Sequence, residues 1–281
     1  MIHVALGVRN TNNYFVHSLV CVCSVLSNAS VPVHIHLIHD STLSPEDRAC
    51  CSLLVNHFHA TLTLHPVNID ASALAQLVPD CFGLGCLYRL FIPESIPADR
   101  VIYFDSDICC HMDVADIIAE AERIQDFSLL VVQDEGICRE VFSRYIQKHG
   151  INPRIYFNSG FLVFNIPRIN SEIPHFFDSI VNVIRTTGKL RFGDQDALNL
   201  YFLQQHAPEA QSGLHYLPER FNLNIGVKDR HLRQPQSLAN TVVHYAYIKP
   251  WEKIFPAAMI YWKYREKMFA IIQNTPTTPH M

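Results

Sequence analysis

The chain has 281 residues, 49% of them hydrophobic and 17% charged, enough for a sizeable core and for one large α/β domain or two modest ones. A formal net charge of −4 gives a nucleic-acid partner no electrostatic support. No apolar run reaches the roughly 18 residues that a membrane span needs; the best candidate, Phe15 to Leu26, falls short, contains His17 and reads as a buried helix. The N-terminus lacks a basic stretch and a cleavage site, so no signal peptide is apparent. Nine cysteines lie between Cys21 and Cys138, most inside apolar runs, with no C-x-x-C. An odd count without a secretion signal points to reduced thiols and a cytoplasmic setting.

Ile2 to Val8 reads as a first strand that breaks into Arg9-Asn10-Thr11-Asn12-Asn13-Tyr14, and residues 14–27 follow as a helix. Val33 to Ile38 is a second strand. Sixteen histidines is a high count. His34, His36 and His39 fall in or beside this strand, no cysteine pair stands at zinc spacing, and they read as ordinary sheet residues. Ser44-Pro45-Glu46-Asp47 is a helix start: an N-cap serine, proline at the first helical position, then acids at the positive end of the dipole. That helix runs to about His57, and Thr61 to Leu64 is a third strand. Alternating strands and helices predict parallel βαβ units with right-handed crossovers. Residues 70–98 are less regular. Within them Arg89 stands alone in the apolar stretch from Gly83 to Phe91, and it needs an anion, either a protein carboxylate or a ligand phosphate.

Val101 to Phe104 has the composition of a buried strand and ends in Asp105-Ser106-Asp107. A strand covered on both faces cannot absorb two ionised carboxylates unless they leave the sheet or meet a cation. The pair is therefore placed at the carboxyl end of a central strand, where ligands of open α/β sheets bind, with alternation pointing both residues the same way. Two hard oxygen ligands suit Mg²⁺ or Mn²⁺, leaving positions for phosphate oxygens and water. Taken alone, Asp-x-Asp is a weak signal and reads first as a solvated pair at a strand end. Phe127 to Val132 is another apolar strand that runs into acids, Asp134 and Glu135. Tyr156-Phe157-Asn158-Ser159-Gly160 precedes the strand Phe161 to Phe164, which Asn165 closes. Ile173, Phe176, Phe177, Ile180, Val181 and Ile184 recur at helical spacing and are core. Asp194 caps or opens a helix over 195–204. The strand from Val242 ends in His244, with Lys249 a turn later. A lone histidine of this kind is usually structural, but one that shares a cation with two distant aspartates, beside a lysine for phosphate, makes a coherent site.

Six segments in order carry a resemblance: Tyr88-Arg89-Leu, Tyr103-Phe-Asp105-Ser-Asp107, Tyr156-Phe-Asn158-Ser-Gly160 with Asn165, Asp194-Gln195-Asp196-Ala-Leu-Asn199, Leu217-Pro218 with Asn222, and His244 with Lys249-Pro250-Trp251. The chain resembles the retaining glycosyltransferases of family 8, which include bacterial galactosyl- and glucosyltransferases of lipopolysaccharide synthesis and the glycogenins. The resemblance implies a Rossmann-like α/β domain of the GT-A type with a mostly parallel sheet over residues 1–251, followed by a short helical tail over 252–281. It implies Mn²⁺, with Mg²⁺ as the alternative, held by Asp105, Asp107 and His244 on the diphosphate of a UDP-sugar. Donor contacts are implied for Asn10, Thr11, Asn13, Tyr14, Arg89, Asp105, Ser106, Asn158 and Lys249. Asp134, Asn158 and Asp194 are implied to hold the transferred sugar, with Gln195 against the anomeric carbon.

The implied activity is transfer of galactose or glucose, with retention, to a glycan or lipid-linked glycan acceptor. Gln195 is a poor nucleophile, which favours same-face attack through an oxocarbenium-like state, a leaving phosphate oxygen taking the acceptor's proton. A nucleotidyltransferase using the aspartate pair for metal is the rival enzyme, but it leaves His244, Asn158 and Gln195 without roles. A non-catalytic sugar-nucleotide binder is the other rival, suggested by two departures from the family pattern. The first loop has no carboxylate for the uracil, although an asparagine or threonine oxygen can accept the same hydrogen bond. Tyr247 stands where the family tends to have glycine, and His244 and Lys249 are five positions apart rather than six, so the loop over the diphosphate is rebuilt. Cys81 stands where some relatives carry a donor-contacting histidine. The tail from Ile254 to Ile272 mixes aromatic and basic residues, which suits either a helix packed on its own domain or one lying on an anionic membrane surface, at the inner face of a cytoplasmic membrane.

Overall fold

The structure, a computed structural model, describes residues 1–11, 13–68, 74, 83–138, 140–188, 190–205 and 213–274. Asn12 and Cys81 lie outside them. The first half follows the expected alternation: β1 (Ile2–Val8), α1 (Tyr14–Asn28), β2 (Val33–His39), α2 (Pro45–His57) and β3 (Thr61–Pro66). α2 starts as its sequence dictates, with a reciprocal pair: the Asp47 amide donates to Ser44 Oγ (3.1 Å) and the Ser44 amide to Asp47 Oδ2 (3.0 Å). A 3₁₀ helix, Leu84–Phe91, leads toward β4 (Arg100–Phe104) and β5 (Ile108–His111). Then come α3 (Val114–Arg123), β6 (Leu129–Gln133), α4 (Glu140–Lys148) and β7 (Phe157–Asn165). After β7 come α5 (Ile166–Glu172), α6 (Phe176–Thr187) and α7 (Asp194–Leu200). Last are β8 (Leu214–Tyr216), β9 (Leu223–Asn224), β10 (Thr241–His244) and α8 (Ala258–Asn274).

Seven strands form the main sheet in the order β3-β2-β1-β4-β7-β6-β8. All run one way except β7, which is antiparallel to both β4 and β6. This is the GT-A arrangement, an α/β fold with a mostly parallel sheet. Alternation divides each strand between two cores. Val4, Leu6, Ile35, Leu37, Ile102 and Phe104 face one, shared with α1 and α8; Ala5, Val101, Tyr103, Leu129 and Phe164 face the other, shared with the 3₁₀ helix, α6 and α7. A second, three-stranded sheet, β5-β10-β9, stands beside the carboxyl edge.

β7 departs from expectation in a way that matters. Asn158, Ser159 and Gly160 do not precede the strand; they are its first turn of pairing. Because β7 runs backwards, its start lies at the edge where β4 and β6 end. The Asp105 amide donates to Gly160 O (2.8 Å) and the Asp134 amide to Tyr156 O (2.9 Å).

The tail helix packs on its own domain, the first of the two readings. Ala258, Ile260, Tyr261, Tyr264, Met268 and Ile271 are buried in the core that α1 lines. The Tyr261 hydroxyl sits 2.8 Å from His17 Nδ1, and Asn28 Nδ2 donates to the Tyr264 hydroxyl (2.7 Å). The basic residues lie over rings of this region, Arg265 over Trp262 and Phe269, and Lys267 over Phe58. Among the described residues, no helix is long and apolar enough to cross a membrane.

Candidate active site at the carboxyl edge of the sheet

The two aspartates are not neighbours on a strand, as alternation had suggested. Residues 105–107 form a tight turn between β4 and β5, closed by the Ile108 amide on Asp105 O (3.1 Å). The turn brings Asp107 to β10, where His244 Nε2 lies 3.2 Å from Asp107 Oδ1. Ligand atoms of Asp105, Asp107 and His244 all fall within 4.8 Å of one another. His244 is buried, and its Nδ1 is 2.8 Å from Asn222 Oδ1. A hydrogen on Nδ1 donated there leaves the Nε2 lone pair facing the aspartates, as a metal-binding imidazole requires. Two carboxylates and one such imidazole fit a Mn²⁺- or Mg²⁺-like ion. Space is reserved for it: a Cβ on Gly160 would lie against His244 Cε1 and 2.8 Å from Asp105 Oδ2.

Lys249 reaches this cluster despite the shortened loop. Its Nζ donates to Asp107 Oδ2 (2.5 Å) and to Ala246 O (3.3 Å). Burial alone would raise the Asp107 carboxyl, but Lys249 and then His244 hold it well below the ordinary carboxylate range. Tyr247, on the same loop, threads between two glycines: a Cβ at Gly136 or at Gly226 would meet its side chain at 2.5 Å. Its hydroxyl comes within 3.4 Å of Asp134 Oδ1.

Beside the metal-ligand cluster lies a chain of amides. Asn222 Nδ2 donates to Asn158 Oδ1 (2.9 Å), and Asn158 Nδ2 donates to Gln195 Oε1 (3.0 Å) and Asp134 Oδ2 (3.2 Å). Gln195 Oε1 also accepts from the Ser159 amide (3.0 Å), while its Nε2 donates to Asp134 Oδ2 (3.2 Å). Burial pushes the Asp134 carboxyl up, against these donors. Asn199 docks α7 onto β7 through both backbone groups of Phe157. Asp196 is held by the hydroxyls of Tyr156 and Tyr145. Asn222 was legible only as part of a motif; its place between His244 and Asn158 emerges from the fold.

Of the two anions weighed for Arg89, the structure supplies protein carboxylates. Its Nη2 is 2.8 Å from Asp105 Oδ1 and its Nε 2.9 Å from Asp194 Oδ2. Nη1 donates to Ser159 O and Oγ, and the guanidinium lies over the Tyr103 ring. Arg89 is 4% exposed. Replacing it with methionine leaves the buried Asp194 and the half-buried Asp105 uncompensated, and we expect a loss of about 3–5 kcal/mol of stability, measured by denaturant unfolding in EDTA. A loss below about 1 kcal/mol would mean that this pairing is not structural.

Asp194 is the first residue of α7, neither capping it nor exposed. Burial pushes its carboxyl up to about 6, with Arg89 opposing and Asp105 adding. The native state therefore binds this proton more tightly than the unfolded chain, whose value is near 3.8. The stability this contributes is full below 3.8 and is lost as pH rises through about 6. Asp194→Asn is expected to flatten the stability profile of metal-free protein across that window, a comparison made by thermal unfolding at several pH values.

The first loop is placed at the same edge. The Asn10 amide donates to Thr42 Oγ1 (2.9 Å) and its Nδ2 to Asp47 Oδ2 (2.7 Å), while Arg9 pairs with Asp40 (3.2 Å). Two carboxylates from other elements thus border a loop that has none. Thr11 and Asn13 are exposed, and Tyr14 meets Trp251 edge-on. Ser106 Oγ is 2.8 Å from Ser18 Oγ, joining the aspartate turn to α1.

Residues 5–255 match the family model for glycosyl transferase family 8. The chain belongs to glycosyltransferase family 8. Among curated family relatives, it is similar to galactinol synthase 1 of Solanum lycopersicum, 27% identical over 71% of this chain and 59% of that protein. It is similar to glycosyltransferase GlyF of Streptococcus pneumoniae, 27% identical over 73% of this chain and 48% of that protein. Lipopolysaccharide 1,2-glucosyltransferase of Escherichia coli is 25% identical over 77% of this chain and 61% of that protein. The chain thus spans about half to three-fifths of the length of these relatives. Galactosyltransferase LgtC, crystallised with donor and acceptor sugar analogues, shares the fold with a TM-score of 0.74 at 21% identity, covering 99% of this chain and 98% of LgtC.

Proposed function

We propose that this family 8 glycosyltransferase moves a hexose, galactose or glucose, from a UDP-sugar to a glycan or lipopolysaccharide-type acceptor, with retention and with Mn²⁺ as the preferred ion over Mg²⁺. The observation that carries the reading is the juxtaposition of the Asp105–Asp107–His244 cluster with the Asn158–Asp134–Gln195 network on one sheet edge. The galactosyl- and glucosyltransferase names of its relatives support the choice of hexose.

In this reading Asp105, Asp107 and His244 hold the ion. Bound there, it supplies Lewis-acid stabilisation of the charge that develops on the leaving diphosphate. Lys249 adds a second positive charge beside Asp107 and serves the same phosphates. Asn158, Asp134 and Asp194 orient the sugar. Gln195, fixed through both ends of its amide, presents a carbonyl dipole to an oxocarbenium-like centre and is a poor nucleophile. Both nearby carboxylates are already engaged, Asp194 by Arg89 and Asp134 by Asn158, Gln195 and the Gly136 amide. That favours same-face attack over a covalent intermediate. A glycosyl adduct trapped on Asp134, Asp194 or Gln195 would count against it.

The test is donor hydrolysis. The protein is incubated with Mn²⁺ and UDP-galactose, UDP-glucose or UDP-N-acetylglucosamine, with an EDTA control, and released UDP is measured. We expect metal-dependent release from UDP-galactose or UDP-glucose. Absence of release from every donor, together with no UDP binding in a titration with Mn²⁺, would overturn the UDP-sugar reading.

A further inference from the structure

A second group of metal-ligating side chains lies far along the sheet from the active site. His3 on β1, His34 and His36 on β2, and His65 on β3 share one face, because β1 pairs His3 with His34 and β2 pairs His36 with Thr63, two positions before His65. His3 and His34 stand near the starts of their strands, whereas the active site stands beyond strand ends. Ligand nitrogens of His3, His34 and His36 fall within 4.8 Å of one another. His3 Nδ1 is 2.9 Å from His36 Nε2, and His36 Nδ1 is 2.9 Å from His65 Nε2. The Thr63 hydroxyl, 2.7 Å from His34 Nε2, orients that ring.

We propose that His3, His34 and His36 form a second metal site, selective for a borderline transition ion such as Zn²⁺ and distinct from the Asp105–Asp107–His244 cluster. Three imidazoles without a carboxylate suit Zn²⁺, Ni²⁺ or Cu²⁺ and are poor hosts for Mn²⁺ or Mg²⁺. Three histidines with an open fourth position for water make a known zinc arrangement. His36 is 2% exposed, while His3, His34 and His65 are half-buried, so the site is anchored at its centre and reachable at its rim. Burial lowers the basicity of all four rings, His36 to about 3, which keeps their lone pairs free at neutral pH. His65 supplies the outer partner: with His36 Nδ1–H donated to it, the His36 Nε2 lone pair is fixed toward His3. With His36 in that tautomer, it is His3 Nδ1 that carries the hydrogen between those two rings in the metal-free chain. Metal entry moves that hydrogen to His3 Nε2, so a neutral cluster takes up the ion without net loss of a proton. In the linear sequence His34 and His36 read as ordinary sheet residues; His3 joins them only through the pairing of β1 with β2.

The test is Zn²⁺ stoichiometry, measured on the full chain by competition with a chromogenic chelator. The wild type should bind two equivalents. His3→Gln combined with His34→Gln, both at half-buried positions, should bind one, retain Mn²⁺-dependent UDP release and show a smaller Zn²⁺-dependent rise in melting temperature than the wild type. Asp107→Asn should also bind one, at the histidines. Co²⁺ loaded into Asp107→Asn should show d–d bands without a thiolate charge-transfer band. An unchanged Zn²⁺ count in the double histidine variant, or a thiolate band with Co²⁺, would overturn the site. If the UDP-sugar reading fails, the loss of one equivalent in the double histidine variant still stands.

Discussion

Asp107→Asn is expected to lower Mn²⁺-dependent turnover by about 10³-fold or more, while the chain remains folded. Asp107 faces both His244 and Lys249, and its charge holds the Lys249 ammonium at the sheet edge beside the imidazole. Asparagine keeps the shape but loses the charge, so the ion is held by one carboxylate and one imidazole. Lys249 loses its partner as well, but its side chain is 19% exposed and can turn to water. The fold has little else at stake, since β4 and β5 flank the turn through backbone pairing. Released UDP measures turnover, Mn²⁺ paramagnetic resonance measures the ion, and circular dichroism reports the fold. Full activity in this variant would remove the metal assignment.

Gly160→Ala should be nearly as damaging through one added methyl group. The new carbon would press on His244 Cε1, sit 2.8 Å from Asp105 Oδ2 and 3.0 Å from Asn158 Oδ1. None of these neighbours yields easily. His244 is tied to Asn222, Asp105 to Arg89 and Tyr103, and Asn158 to Asp134 and Gln195. We expect Mn²⁺ affinity to fall by about 10–100-fold, as when the support of a metal ligand is removed, with about 1–3 kcal/mol of overpacking cost. Gly85→Ala is the control, because among the described residues its added carbon meets only Arg9, at 3.5 Å. Equal Mn²⁺ affinity in the two variants would show that the space beside Gly160 does not belong to the metal site.

Much of the first half was legible without coordinates. Apolar alternation placed β1, β2 and β3, and the Ser44-Pro45-Glu46-Asp47 start placed α2, because these signals are local. The strand ending at Phe104 announced the aspartate pair for a simple reason: buried strands reject charge. Other features were not local. β5, β8 and β9 are short, at most four residues, and carry no periodicity to read. The reversed direction of β7 has no signature in its own residues, which are buried on both faces whichever way the strand runs.

The sequence by itself determined the chemistry available: hard oxygen ligands, an imidazole, a buried arginine and a run of amides, arranged around strands that could bury everything else. Only the tertiary structure decided which of them meet. Reversal of β7 sets Asn158 and Gly160 against Asp134 and Asp105, and the pairing of β5 with β10 brings His244 to Asp107. It also decided that Arg89 answers Asp105 and Asp194, and that His3 and His36 touch although 33 positions separate them. The physical reason is the same in each case. Periodicity records which face of an element is buried, whereas contact across strands depends on order, direction and register, which no single segment encodes.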